Sequence, residues 1–124
     1  MNEIISSYLF EIREGVKMRV RVATVCQGGR FFRSVEENRR YVMKLLDMAL
    51  LQKPDIVCLP EAFTTVNVDK PIEEIAESVP GPTTEIVGKK AKESECYIIC
   101  PIKTKRMGKV WNSAIIIDRT GEVL

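Results

Sequence analysis

Histidine is missing altogether, and aromatic residues make up only 6% of the 124-residue chain. Basic residues number 19 and acidic residues 17, so the formal charge is only +2. A balance so close to neutral argues against nucleic acid or an acidic membrane surface as partner, and no basic stripe with interleaved aromatics appears. No apolar run is long enough to span a bilayer. The chain has no Cys-x-x-Cys pair and no histidine to complete a metal set, and neither a metal nor an organic cofactor is expected. No repeat or low-complexity segment is visible, and no linker interrupts residues 18–124. Gln27-Gly28-Gly29-Arg30 is a glycine pair without the rest of a phosphate-binding fingerprint, so it reads as a simple turn.

What remains is an ordinary globular composition, 45% hydrophobic and 29% charged, in a length that suits one domain. Four cysteines stand at positions 26, 58, 96 and 100. All fall inside or at the ends of expected buried strands, where a free thiol acts as a small apolar group. Cys96 and Cys100, four apart on a strand, would lie ~13 Å from each other, too far to share a metal. No signal peptide is recognisable, so a reducing cytoplasm is the expected location.

The most informative stretch is Pro54-Asp55-Ile56-Val57-Cys58-Leu59-Pro60-Glu61. Four apolar residues between turn formers suit a strand buried on both faces of a parallel sheet. Pro60 cannot donate to a ladder, so the strand should stop there. Glu61 then stands just past its carboxyl end, where open α/β sheets gather ligand sites. A carboxylate pressed against apolar neighbours is suited to passing protons near neutral pH. A surface glutamate capping the next element is the alternative reading.

The flanks supply the other elements. Val20 to Gln27 reads as a strand. Ser34-Val35-Glu36-Glu37 is a capping box, with Glu37 reaching back to the Ser34 amide. Val42, Leu45, Leu46 and Ala49 form an inward helical stripe, with Arg39, Arg40 and Lys44 towards water. A β–α–β unit follows, giving a parallel pair with a right-handed crossover. Thr64 to Asp69 is an irregular loop of the kind that shapes pockets. Ile72, Ile75 and Ala76 suggest a short helix. Pro82 opens another, which runs to about Ser94 and turns Ile86, Val87 and Ala91 inward. Cys96 to Ile102 is a buried strand, Lys103 to Lys109 a basic turn, and Val110 to Asp118 a further strand. In residues 1–17, Ile5, Tyr8, Leu9 and Ile12 recur at helical spacing, which predicts an amphipathic helical extension.

These pieces, in this order, resemble the nitrilase superfamily of carbon–nitrogen hydrolases. The resemblance runs from about Met18 to Leu124. It is carried by the opening strand ending in Gln27, the helix beginning Val35-Glu36-Glu37-Asn38, and Leu59-Pro60-Glu61 with Phe63. Val79-Pro80-Gly81-Pro82-Thr83-Thr84 and Val110-Trp111-Asn112-Ser113-Ala114-Ile115-Ile116-Ile117-Asp118 complete it, followed by Gly121-Glu122-Val123-Leu124. The resemblance implies an α/β fold, part of an α-β-β-α sandwich with a mixed sheet flanked by helices. Residues 18–124 would be the N-terminal part of that domain.

It also implies a Glu–Lys–Cys triad, of which only Glu61 maps onto this chain; the Lys and the nucleophilic Cys would lie beyond Leu124. Among the cysteines present, Cys58 is expected on the opposite face from Glu61, and Cys26 is the least implausible nucleophile. None matches the family's motif, and none is assigned. Lys103 is the nearest contender for a catalytic lysine by strand geometry, and it too is left unassigned. The implied reaction is hydrolysis of a small-molecule amide, N-carbamoyl compound or nitrile. The family's mode of assembly implies a homo-oligomer, and this chain alone is expected to be inactive. A non-catalytic binding or assembly module on the same scaffold is the competing reading. Glu122-Val123-Leu124 begins a new segment after the Asp118–Gly121 turn, which leads one to expect a chain cut short.

Overall fold

The computed structural model describes residues 5–12 and 18–124, and describes side chains from Arg19 onward. Five strands pair in chain order into one sheet: β1 (Ile5–Ile12), β2 (Met18–Val25), β3 (Ile56–Cys58), β4 (Tyr97–Arg106) and β5 (Lys109–Ile117). The outer pairs are antiparallel and the inner two are parallel. Parallel neighbours need crossovers. Helix α1 (Val35–Leu50) links β2 to β3, while α2 (Ile72–Ile75) and α3 (Pro82–Ser94) link β3 to β4. This is the expected mixed sheet flanked by helices.

Alternation along the strands assigns two faces. Ala23, Val25, Val57, Ile98, Cys100, Ile102 and Ile117 meet Val42, Leu45, Leu46, Ala49, Val87 and Ala91 in one apolar core. The stripe read from the α1 sequence is therefore the buried one, and each large aliphatic side chain so covered contributes roughly 1.5–3 kcal/mol. The opposite sheet face carries Val22, Thr24, Ile56, Cys58, Tyr97, Ile99, Pro101, Ala114 and Ile116, which the strand registers place side by side. These residues are half-buried or exposed, and among the described residues no helix packs on them.

Strand β4 organises the centre. Its odd-numbered residues turn their backbone groups towards β3 and serve several partners in succession. Leu59 N donates to Ile99 O at 3.0 Å, Ala62 N to Pro101 O at 3.0 Å and Glu77 N to Lys103 O at 3.0 Å; Lys105 N returns a bond to Glu77 O at 2.9 Å. Pro101 has no N–H to offer on this edge. It falls where β3 has just ended, at Cys58, as a residue that cannot donate to a ladder should.

Several expectations are corrected. The helix expected in residues 1–17 is, over Ile5–Ile12, a strand antiparallel to β2. The same residues are rich in Ile, Tyr and Phe, which favour strands, and an available sheet edge decides between the two periods. Residues 1–4 and 13–17 lie outside the described residues. The basic turn expected over Lys103–Lys109 is strand up to Arg106. Only Met107 and Gly108 form the turn, both with positive φ (52° and 71°), which matches the twist of a two-residue hairpin. Arg39 does not face water: its Nη2 lies 2.8 Å from Glu77 Oε1, and its Nε donates to Thr83 Oγ1 at 2.8 Å. Ile86 is exposed, and Gly88 takes the inward place, with Gly121 packed against it. The Ser34 cap holds, but Glu37 accepts from the Ser34 hydroxyl and not from its amide.

Candidate functional site

Glu61 opens a run of turns that lasts to Asn67, immediately beyond the carboxyl end of β3. Pro60 withholds a donor, and Ala62 adopts the left-handed conformation, φ 50°, rarely taken by residues other than glycine. The Glu61 carboxylate lies on the open side of the sheet. There Asn112 Nδ2 donates to Oε1 at 2.8 Å. Asn112 sits opposite Lys103 in the β4–β5 register, on the face turned away from the helices.

The expected rim position is therefore where the residue stands, but its surroundings differ from those expected. Glu61 is exposed, not pressed among apolar groups, because nothing described here packs on that side. Cys58 was expected on the face opposite Glu61. In fact strand alternation stops at Cys58, ahead of Pro60 and Glu61, and both side chains address the open side. Lys103 is half-buried on the same face, and among the described residues Glu61 forms no ion pair with it or with any other cation.

The loop after Glu61 is held by Asn38, whose side chain is fully buried. Asn38 Oδ1 accepts from Phe32 N at 2.8 Å, and its Nδ2 donates to Val66 O at 2.9 Å and Thr64 O at 3.4 Å. One amide thus pins the loop before α1 to the loop after β3. A second polar cluster lies beside it on the helix side. Glu77 Oε1 accepts from Arg39 and from the Thr83 hydroxyl, the latter at 2.6 Å, while Oε2 accepts from Thr83 N at 2.9 Å. This carboxylate is fully engaged at the start of α3 and is free for no other work.

The cysteines divide. Cys96 and Cys100 are buried, and burial raises their thiols to about 11 and about 12 respectively. Burial also raises the thiol of half-buried Cys58. Cys26 is exposed, which corrects its expected place as a core thiol. Among the described residues no group of His, Cys, Asp or Glu is arranged to hold a metal ion. None of the described helices is long and apolar enough to cross a membrane. A groove of about 1180 Å³ runs between the β4–β5 hairpin and the Glu73–Val79 segment. Trp111, Ser113 and Ile115 line it from the helix side of the sheet, so it does not contain Glu61.

Two residues of the neighbourhood escaped the sequence reading. Asn112 interrupts an apolar strand with a residue strands disfavour, and Asn38 lies on the inward stripe of α1, four places before Val42. A polar residue in an apolar pattern was the available signal in both cases.

Comparison with known proteins agrees with this architecture. The model of the family described as carbon–nitrogen hydrolase matches residues 21–124. Omega-amidase NIT2 of Xenopus tropicalis is 34% identical over 89 residues, which cover 71% of this chain and 32% of that protein. A formamidase of Bacillus thuringiensis is 36% identical over 74 residues, covering 56% of this chain and 22% of the relative. The chain thus spans about a third or less of the length of these relatives. Among solved structures, a CN-hydrolase superfamily protein of Xanthomonas campestris with an arsenic adduct in its active site superposes with a TM-score of 0.71 at 26% identity. That match covers 85% of this chain and 38% of the other.

Proposed function

Since this chain belongs to the carbon–nitrogen hydrolase family, we propose that it forms the N-terminal part of an enzyme that hydrolyses a non-peptide carbon–nitrogen bond, with Glu61 as general base. The observation that carries the reading is the family match over residues 21–124 together with a carboxylate just past the carboxyl end of β3. Residues 18–124 are the hydrolase portion, and residues 1–17 an extension that adds β1 to the sheet edge. The names of the relatives, an omega-amidase and a formamidase, favour an amide over a nitrile or a carbamoyl compound.

In the proposed reaction Glu61 takes the proton from a cysteine thiol supplied by the C-terminal continuation. The thiolate attacks the amide carbon, and a lysine from the same continuation stabilises the resulting oxyanion. The tetrahedral intermediate collapses to a thioester as the carbon–nitrogen bond breaks, and Glu61 returns its proton to the leaving nitrogen. Glu61 then takes a proton from water, which attacks the thioester and releases the acid. Residues 1–124 carry one of the three groups and by themselves are inactive.

The apolar sheet face opposite the helices supports this reading, because the sandwich the resemblance implies would place a second sheet there and cover Glu61. The same open face also suits a non-catalytic assembly module. Activity separates the two. In the protein that carries this chain and its continuation, Glu61→Gln should abolish amide hydrolysis measured by ammonia release. Retention of near-normal turnover would remove Glu61 from the mechanism.

A further inference from the structure

Glu61 is exposed, yet its carboxylate has one fixed partner, the side-chain amide of Asn112, at 2.8 Å. An unrestrained glutamate on a surface turn would lose much of its time to unproductive rotamers. A cation in that place would orient the carboxylate but also strongly favour its charged form and weaken it as a base. An amide orients it without bringing a charge.

The placement is not incidental to a mobile surface. Asn112 lies within β5, paired residue by residue with β4 over Ile98–Arg106. Glu61 is fixed from its other side by the neighbouring Ala62 N, bonded to Pro101 O of the same β4. Donor and acceptor are therefore both referred to one strand. The Asn112 bond occupies Oε1, and among the described residues no hydrogen bond occupies Oε2.

We propose that Asn112 is a positioning residue for Glu61: its amide holds Oε1 and presents Oε2 as the oxygen that accepts the proton. The inference rests on the role proposed above for Glu61. In the proton transfer the S–H bond of the nucleophile breaks and an O–H bond forms at Oε2. The negative charge passes from carboxylate to sulfur, while Asn112 keeps its bond to Oε1.

The test uses the protein that carries this chain and its continuation, with Glu61→Gln assayed in parallel. Asn112→Val removes the donor and puts a strand-favouring residue in an exposed strand position, so the fold is retained. Asn112→Asp keeps the shape but sets a negative charge beside the carboxylate. Both should lower kcat by roughly 10- to 100-fold with KM within about twofold, since a whole general-base contribution is ~10²–10⁴. The acid limb of the rate–pH profile should move to higher pH in Asn112→Asp, where the introduced negative charge opposes a second one beside it. An inactive Glu61→Gln beside an Asn112→Val with wild-type kcat overturns the positioning role alone. An active Glu61→Gln overturns the role of Glu61 and this inference with it.

Discussion

At the scale of single residues, local cover decides which side chains can react. Cys100 has no exposed surface, and burial, assisted by the charge of Glu77, lifts its thiol to about 12. Cys96 is lifted to about 11 by burial and then by Asp55. Thiolate is the reactive form, so both should be inert at neutral pH while the fold persists. Treatment of the native protein with a maleimide at pH 7.5, followed by peptide mass spectrometry, should find label at exposed Cys26 and none at Cys96 or Cys100 until denaturant is added. Label at Cys100 at the rate of Cys26 would contradict the described core. The Arg39–Glu77 pair illustrates the same control by surroundings. With side chains only 14% and 8% exposed, loss of one partner would strand a buried charge, at a cost of about 3–5 kcal/mol.

Among the elements, tight packing is concentrated where α3 crosses the turn after β5. A Cβ on Gly88 would sit 2.7 Å from Gly121 O, and one on Gly121 would sit 2.6 Å from Gly88 O. Backbone cannot yield there as a flexible side chain would. Gly88→Ala should lower stability in urea by ~1–3 kcal/mol despite its better helix propensity, whereas Lys89→Ala on the exposed side should be nearly neutral. Equal effects would show that the crossing is loose. Elements whose period matched their burial could be read from the chain: the Val42–Ala49 stripe, the strand before Pro60, and the helix opened by Pro82. Ile5–Ile12 could not, because its apolar residues fit a helical spacing and only the neighbouring strand edge settles the choice. A turn around Gly108 could be read, but its two-residue length could not, because methionine at 107 gives no warning of positive φ. Glu61 could be found as a rim carboxylate from Pro60 and the preceding run. Its partner could not, since 51 residues separate the two and only the sheet brings them together.

On the scale of the whole molecule, the two sides of the sheet are unlike. One is sealed by α1 and α3; the other offers Val22, Ile56, Ile99, Ala114 and Ile116 to solvent or to a further layer. Apolar area of that kind favours association or an added sheet. Residues 1–124 alone should bind an apolar fluorescent dye in the folded state, and Ile116→Lys should reduce the signal without changing the circular dichroism spectrum. No binding, or binding indifferent to Ile116→Lys, would mean that the face is less accessible than described. The centre of the sheet has its own consequence. Because Ala62 is tied to Pro101 and Asn112 stands opposite Lys103, the acid and its amide are gauged from points two residues apart, a spacing of ~6.6 Å along one strand. Bending or breathing of the sheet carries both groups together, so β4 acts as a ruler whose graduation survives motions of everything it measures.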